Sequence, residues 1–145
     1  MRRLALLLVV AAACRSAAPS GGSAATGSDS PQAAVNRFLA AASAQDVQAL
    51  GAAWGDEKGA ARDNMERPQL EQRAFIMLCL LRHDQARLGA PQMLPEGRIN
   101  IPVDLTQGQL SASATFTTAR GPSGRWYVQN FDTVVLQNRG FCKKP

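Results

Sequence analysis

Hydrophobic and polar positions change their rhythm several times along this chain, and each rhythm predicts a different element. Leu4 to Ala13 is a run of ten apolar residues with no polar break. Arg15 to Ser30, RSAAPSGGSAATGSDS, has almost no large side chain. Ala34, Val35, Phe38, Leu39 and Ala42 then recur at helical spacing behind Ser30-Pro31. Serine there is a favoured N-cap, and proline suits the first turn, where its missing N–H is no loss. Asp46 predicts the cap of a second short helix, DVQALGAAWG, with Val47, Leu50 and Trp54 on one side. GDEKGAARDNMER, interrupted by Gly55 and Gly59, reads as a solvated loop with a helical turn near residues 60–65.

Pro68 at one end and Gly89 with Pro91 at the other frame QLEQRAFIMLCLLRHDQARL, residues 69–88, as the longest helix. Ala74 to Leu81 is apolar all round, which predicts a segment buried on nearly every side, with Cys79 in its middle and Phe75 and His83 one turn away. After Gly89 the period becomes two. Ile99, Ile101, Val103 and Leu105 alternate with polar residues and Pro102, which predicts a half-buried strand at an edge or with a bulge. TQGQ turns the chain into Leu110, Ala112, Ala114 and Phe116, and GPSG turns it again into a last strand, RWYVQNFDTVVL. Helices followed by a meander give an α+β domain, with N-terminal helices and one long buried helix packed on a curved antiparallel sheet.

The first thirty residues are of another kind. A basic start, Met1-Arg2-Arg3, precedes the apolar run, and small residues precede Cys14, the pattern of a secretory signal peptide. The run is too short to span a bilayer, which takes about 20 residues. Ala11, Ala12, Ala13 and Cys14 resemble the lipobox of bacterial lipoproteins, in which the cysteine becomes the lipidated first residue; leucine is usual where Ala11 stands. A non-lipoprotein cleavage nearby is the alternative and would leave Cys14 a free thiol. The expected organisation is a signal peptide at 1–13, a lipidated Cys14 with a flexible linker at 14–30, and one domain at 31–145. Removing residues 1–13 removes two arginines and no acid, so the formal charge falls from +5 to +3. The remaining cations are dispersed and not interleaved with aromatics, so nucleic acid is not an expected partner. The resemblance implies an exported lipoprotein anchored at the bacterial cell envelope.

AVNRFLAAASAQDVQALGAAW, a helix, a polar break with Asp46 and a second short helix, is followed by a long helix and by strands ending in GRWYVQNFD. This order resembles the nuclear transport factor 2-like superfamily over most of residues 31–142. The resemblance implies a cone-like α+β domain with a cavity between sheet and helices, on a fold that hosts enzymes, scaffolds and binding modules.

Ketosteroid isomerase-like and polyketide cyclase-like members of that superfamily use a pocket carboxylate with a second donor, which requires two titratable groups in one dry cavity. His83, in the string Arg82-His83-Asp84, is the single histidine and reads first as a rim residue. Tyr127 and Asp132 have opposite parity on the last strand, so without a bulge they face opposite sides. Trp54 and Trp126 read as core or cavity wall. Trp54, His83, Trp126 and Asp132 are thus the cavity candidates, none of them assigned as catalytic. No phosphate loop, nucleophile elbow, HExxH or CxxC occurs, the acids of residues 55–67 lack calcium-loop spacing, and no metal or cofactor is expected.

If Cys14 carries lipid, Cys79 and Cys142 remain as the one intramolecular pair, in a compartment where a disulfide persists. A buried thiol at Cys79 and a loose one at Cys142 is the other reading; an exposed thiol on an exported protein is a liability, which favours the bond. The expected function is that of a lipid-anchored, non-enzymatic binding or interaction module, with a small apolar ligand or an envelope protein as partner. A small-molecule enzyme of the isomerase or cyclase type is the alternative.

Overall fold

The structure, a computed structural model, describes residues 25–143. The segment read as a signal peptide and the lipidation candidate Cys14 lie outside the described residues. Contacts to the described N-terminal segment start from its first residue: the Arg37 guanidinium donates to the carbonyls of Ala25 and Gly27, and Arg125 donates to those of Thr26 and Gly27 and pairs with Asp29. Ser28 bridges Trp126.

Helix α1 (Pro31–Ser43) starts where Ser30 Oγ accepts the Ala33 N–H at 3.1 Å, and it buries Ala34, Val35, Phe38, Leu39, Ala41 and Ala42. Helix α2 (Val47–Ala53) is capped by Asp46, whose carboxylate accepts from the N–H groups of Gln48 and Ala49. The Gln45 amide between them donates to the carbonyls of Ala42 and Leu78, tying this turn to the next long helix. The expected loop at residues 55–67 is more ordered than its glycines suggested. Strands β1 (Gly55–Asp56) and β2 (Gly59–Ala60) form a small hairpin, and α3 (Ala61–Asn64) adds one helical turn. Gly59 has φ +112°, a backbone region that favours glycine, so the hairpin depends on it.

Helix α4 spans Arg67–Leu80, eight residues short of the expected end at Leu88. Gln85–Leu88 is instead strand β3, paired antiparallel with Val103–Thr106. Nothing in Gln-Ala-Arg-Leu forbids a helix; the residues are claimed by an otherwise open strand edge, whose N–H and C=O groups need partners. The helix is also not buried on all sides. Ala74, Met77, Leu78 and Leu80 face the core, whereas Phe75 is 63 % and Ile76 56 % exposed, and Cys79 is half-buried. An all-apolar run has no polar face to show which side is covered.

Strand β4 (Gln92–Met93) and a 3-10 turn at Pro95–Gly97 lead into the meander: β5 (Ile99–Gln107), β6 (Leu110–Arg120) and β7 (Trp126–Phe131). The sheet order is β3-β5-β6-β7, with β4 also on β5. Pro102 stands where the outer neighbour of β5 is interrupted between β3 and β4; its carbonyl accepts from Gly89, and its missing N–H falls in that gap. Ile101, Val103, Leu105, Ala112, Ala114 and Phe116 point to the helices. The other face carries polar ladders, Ser113 to Asp104 and Thr117 to Asn100. At the β6–β7 bulge Gln129 has no partner on β6, which puts both Val128 and Phe131 on the helix side. Phe38, Phe116 and Phe131 meet there, with ring centroids 5.5–6.3 Å apart.

The last strand ends at Phe131 and not at Leu136. Asp132 accepts the Val135 N–H at 3.0 Å and caps a short helix, α5 (Thr133–Asn138), which buries Leu136. The result is an α+β fold with helices packed against an antiparallel sheet.

Candidate functional site

The chain leaves α2 in extended conformation at Trp54, which runs parallel to Val128 and covers the outer edge of β7. That exit opens a cleft with two adjoining lobes. The apolar lobe, about 330 Å³, lies between α4 and β7 and is walled by Phe38, Ile76, Met77, Val128 and Phe131. The polar lobe, about 290 Å³, is bounded by the β1–β2 hairpin with Asp56 and Lys58, and by Asn64 and Met65. Trp54, Arg73 and Gln129 line both. Arg73, Ile76 and Met77 stand at i, i+3 and i+4 on α4, so one helix face supplies a cation, a lip and a wall.

Polar groups in the cleft are unequally engaged. Asp56 accepts the Lys58 backbone N–H at 2.8 Å, Asn64 donates to the Ala60 carbonyl at 2.9 Å, and Gln129 donates to Glu57 at 3.2 Å. Arg73 makes no hydrogen bond or ion pair among the described residues. Six residues earlier Arg67 bonds Glu71 at 2.8 Å, and that carboxylate raises the Arg67 pKa through its hydrogen bond and charge. Arg67 is thereby engaged along the helix surface, while Arg73 faces open space.

Of the four cavity candidates from sequence, the cleft contains Trp54. Trp126 lines a separate recess of about 390 Å³ with Met93, Arg98 and Arg120. Asp132, beside Thr115, Thr117 and Asn130, has its carboxylate committed to capping α5. His83 lies beyond the end of α4, and its Nδ1–H donates to the Leu81 carbonyl at 2.7 Å. Its neighbour Asp84 accepts the Gly108 N–H at 2.7 Å and so holds the β5–β6 turn. Tyr127 is buried, with its hydroxyl on Thr26 at 3.2 Å. The titratable groups singled out from sequence therefore do not converge. Among the described residues no group of three or more His, Cys, Asp and Glu is placed to hold a metal ion, and no helix is long and apolar enough to cross a membrane.

Cys79 and Cys142 are joined by a disulfide, with Cα atoms 5.0 Å apart. It fastens the segment after α5 to the last turn of α4, where the sequence pattern places Cys79 in the middle of a longer helix. Arg73, Ile76 and Gln129 were not foreseen. The signal for the first two was present, an arginine three and four residues ahead of exposed and buried apolar positions on one helix. Gln129 enters through the bulge, which periodicity does not reveal.

No protein-family model, no curated protein and no solved structure matches the chain.

Proposed function

We propose that this protein is a lipid-anchored cell-envelope binding module of nuclear transport factor 2-like fold, whose ligand site is the Trp54 cleft. The observation that carries the reading is the apolar lobe itself, a preformed concavity between helices and sheet, at the lower end of the roughly 300–1,000 Å³ of ligand pockets. The order of two helices, a longer helix and an antiparallel meander supports the fold assignment. Among the described residues that lobe is lined by no histidine, cysteine, tyrosine or carboxylate, so the acid–base chemistry of an isomerase has no pair of groups to use there.

Anchoring through Cys14 confines the module. Eleven residue steps separate Cys14 from Ala25, the first described residue, and at most about 3.6 Å per residue limits the reach to about 40 Å. The domain then works within about its own diameter of the membrane, on a ligand present at that surface.

The test of the site uses the unlipidated mature chain (Cys14→Ser) and the neutral fluorescent probe N-phenyl-1-naphthylamine. Saturable 1:1 binding that is weakened severalfold by Ile76→Glu, an exposed position whose change leaves the fold intact, is the expected result. Binding indifferent to that change overturns the assignment. The anchor is tested by the intact mass of the protein from the membrane fraction, where the bare polypeptide mass would contradict it.

A further inference from the structure

We infer that the cleft selects apolar molecules bearing a single carboxylate, with Arg73 as the residue that receives the acid group. This rests on the Trp54 cleft being a binding site and names the class of ligand it takes. The two lobes impose an order on any molecule that fills both: an apolar body against Phe38, Met77, Val128 and Phe131, and a polar end between Arg73 and the β1–β2 hairpin. At that junction the fixed donors of Asn64 and Gln129 already have acceptors, whereas the Arg73 guanidinium has none among the described residues. A guanidinium presents a planar fork that matches a carboxylate with two parallel hydrogen bonds. Charge sets the limit of one acid. Arg73 and Lys58 are the cations lining the polar lobe, Asp56 lies among them, and Glu57 is held at its edge by Gln129, so two carboxylates already offset the two cations. One acid group is received by the Arg73 fork, while a second adds repulsion from Asp56 and Glu57.

Decanoate and decanol share the apolar chain and differ in the acid, which separates the two readings. Both ligands are titrated into the unlipidated mature chain and its Arg73→Gln and Arg73→Lys variants, by displacement of N-phenyl-1-naphthylamine. Arg73 is exposed on a helix surface, so neither substitution removes core packing. The expected result is that Arg73→Gln weakens decanoate about three- to fivefold, the upper part of the range for an exposed ion pair, leaves decanol unchanged, and loses its effect in high salt. Arg73→Lys retains most of the decanoate affinity. Equal losses for both ligands, or no loss for either, overturn the carboxylate inference and leave the cleft standing. Failure of both ligands to displace the probe overturns the inference, and overturns the cleft assignment only where probe binding is also indifferent to Ile76→Glu.

Discussion

Cys79, in the last turn of α4, and Cys142, four residues beyond α5, are bonded with their Cα atoms 5.0 Å apart, closing a separation of 63 residues. The bond joins the helix that lines the cleft to a C-terminal segment that buries Leu136 and Phe141. In the chain-entropy account a loop of that length is worth about 4 kcal/mol. Replacing both cysteines by alanine is therefore expected to lower the stability measured by urea unfolding by about 2–4 kcal/mol. Thiol counting on the unfolded wild-type chain should find the Cys79 and Cys142 thiols only after reduction; both thiols without reductant would contradict the bond.

Two carboxylates have assigned roles as helix caps. Asp132→Ala and Asp46→Ala each remove the acceptor of orphaned N–H groups at a helix start. Each should cost about 1 kcal/mol, seen as a shift in the urea midpoint at unchanged slope. Asp132→Ala should also leave probe binding at the Trp54 cleft intact, since the capping carboxylate lines a different recess. A loss of binding greater than the loss of stability explains would assign Asp132 to the site instead.

Phe75 and Phe116 give opposite expectations despite equal hydrophobicity. Phe116 is fully buried against Phe38 and Phe131, and Phe116→Ala should cost about 3–5 kcal/mol. Phe75 is 63 % exposed, and Phe75→Ala should stay within about 1 kcal/mol of wild type. Comparable losses for the two would show α4 to be covered on the Phe75 side.

Gly59 holds φ +112° in the hairpin that bounds the polar lobe. An added Cβ meets only Asn64 at 3.6 Å, so the penalty for Gly59→Ala is one of backbone strain, about 1–3 kcal/mol, and not of space. Thermal unfolding measures it directly, and an unchanged midpoint would contradict the strained hairpin.

Ser30-Pro31 and Asp46 marked the starts of α1 and α2 because capping is local chemistry, written in adjacent residues. The alternation of Ile101 to Leu105 and Ala112 to Phe116 was legible for the same reason, one face of each strand being buried. Gln85–Leu88 was not, since its pairing with Val103–Thr106 is decided by a strand edge that forms far along the chain. The stretch 133–136, the end of the expected last strand, is helical instead, because Asp132 one residue earlier is the cap that starts α5. For the site, Trp54 was legible as an aromatic wall. Arg73 was hidden by the assumption that the apolar run behind it is covered on every side, and Gln129 by the bulge that turns its strand.

The chain has two tryptophans, Trp54 in the cleft and Trp126 in a separate recess, so its indole N–H resonances are two reporters of where a ligand sits. In an NMR titration of the unlipidated mature chain with N-phenyl-1-naphthylamine, the Trp54 indole signal should move saturably while that of Trp126 stays in place. A Trp126 signal that moves alone, or two signals that both stay fixed while the probe binds, would contradict the Trp54 cleft as the binding site.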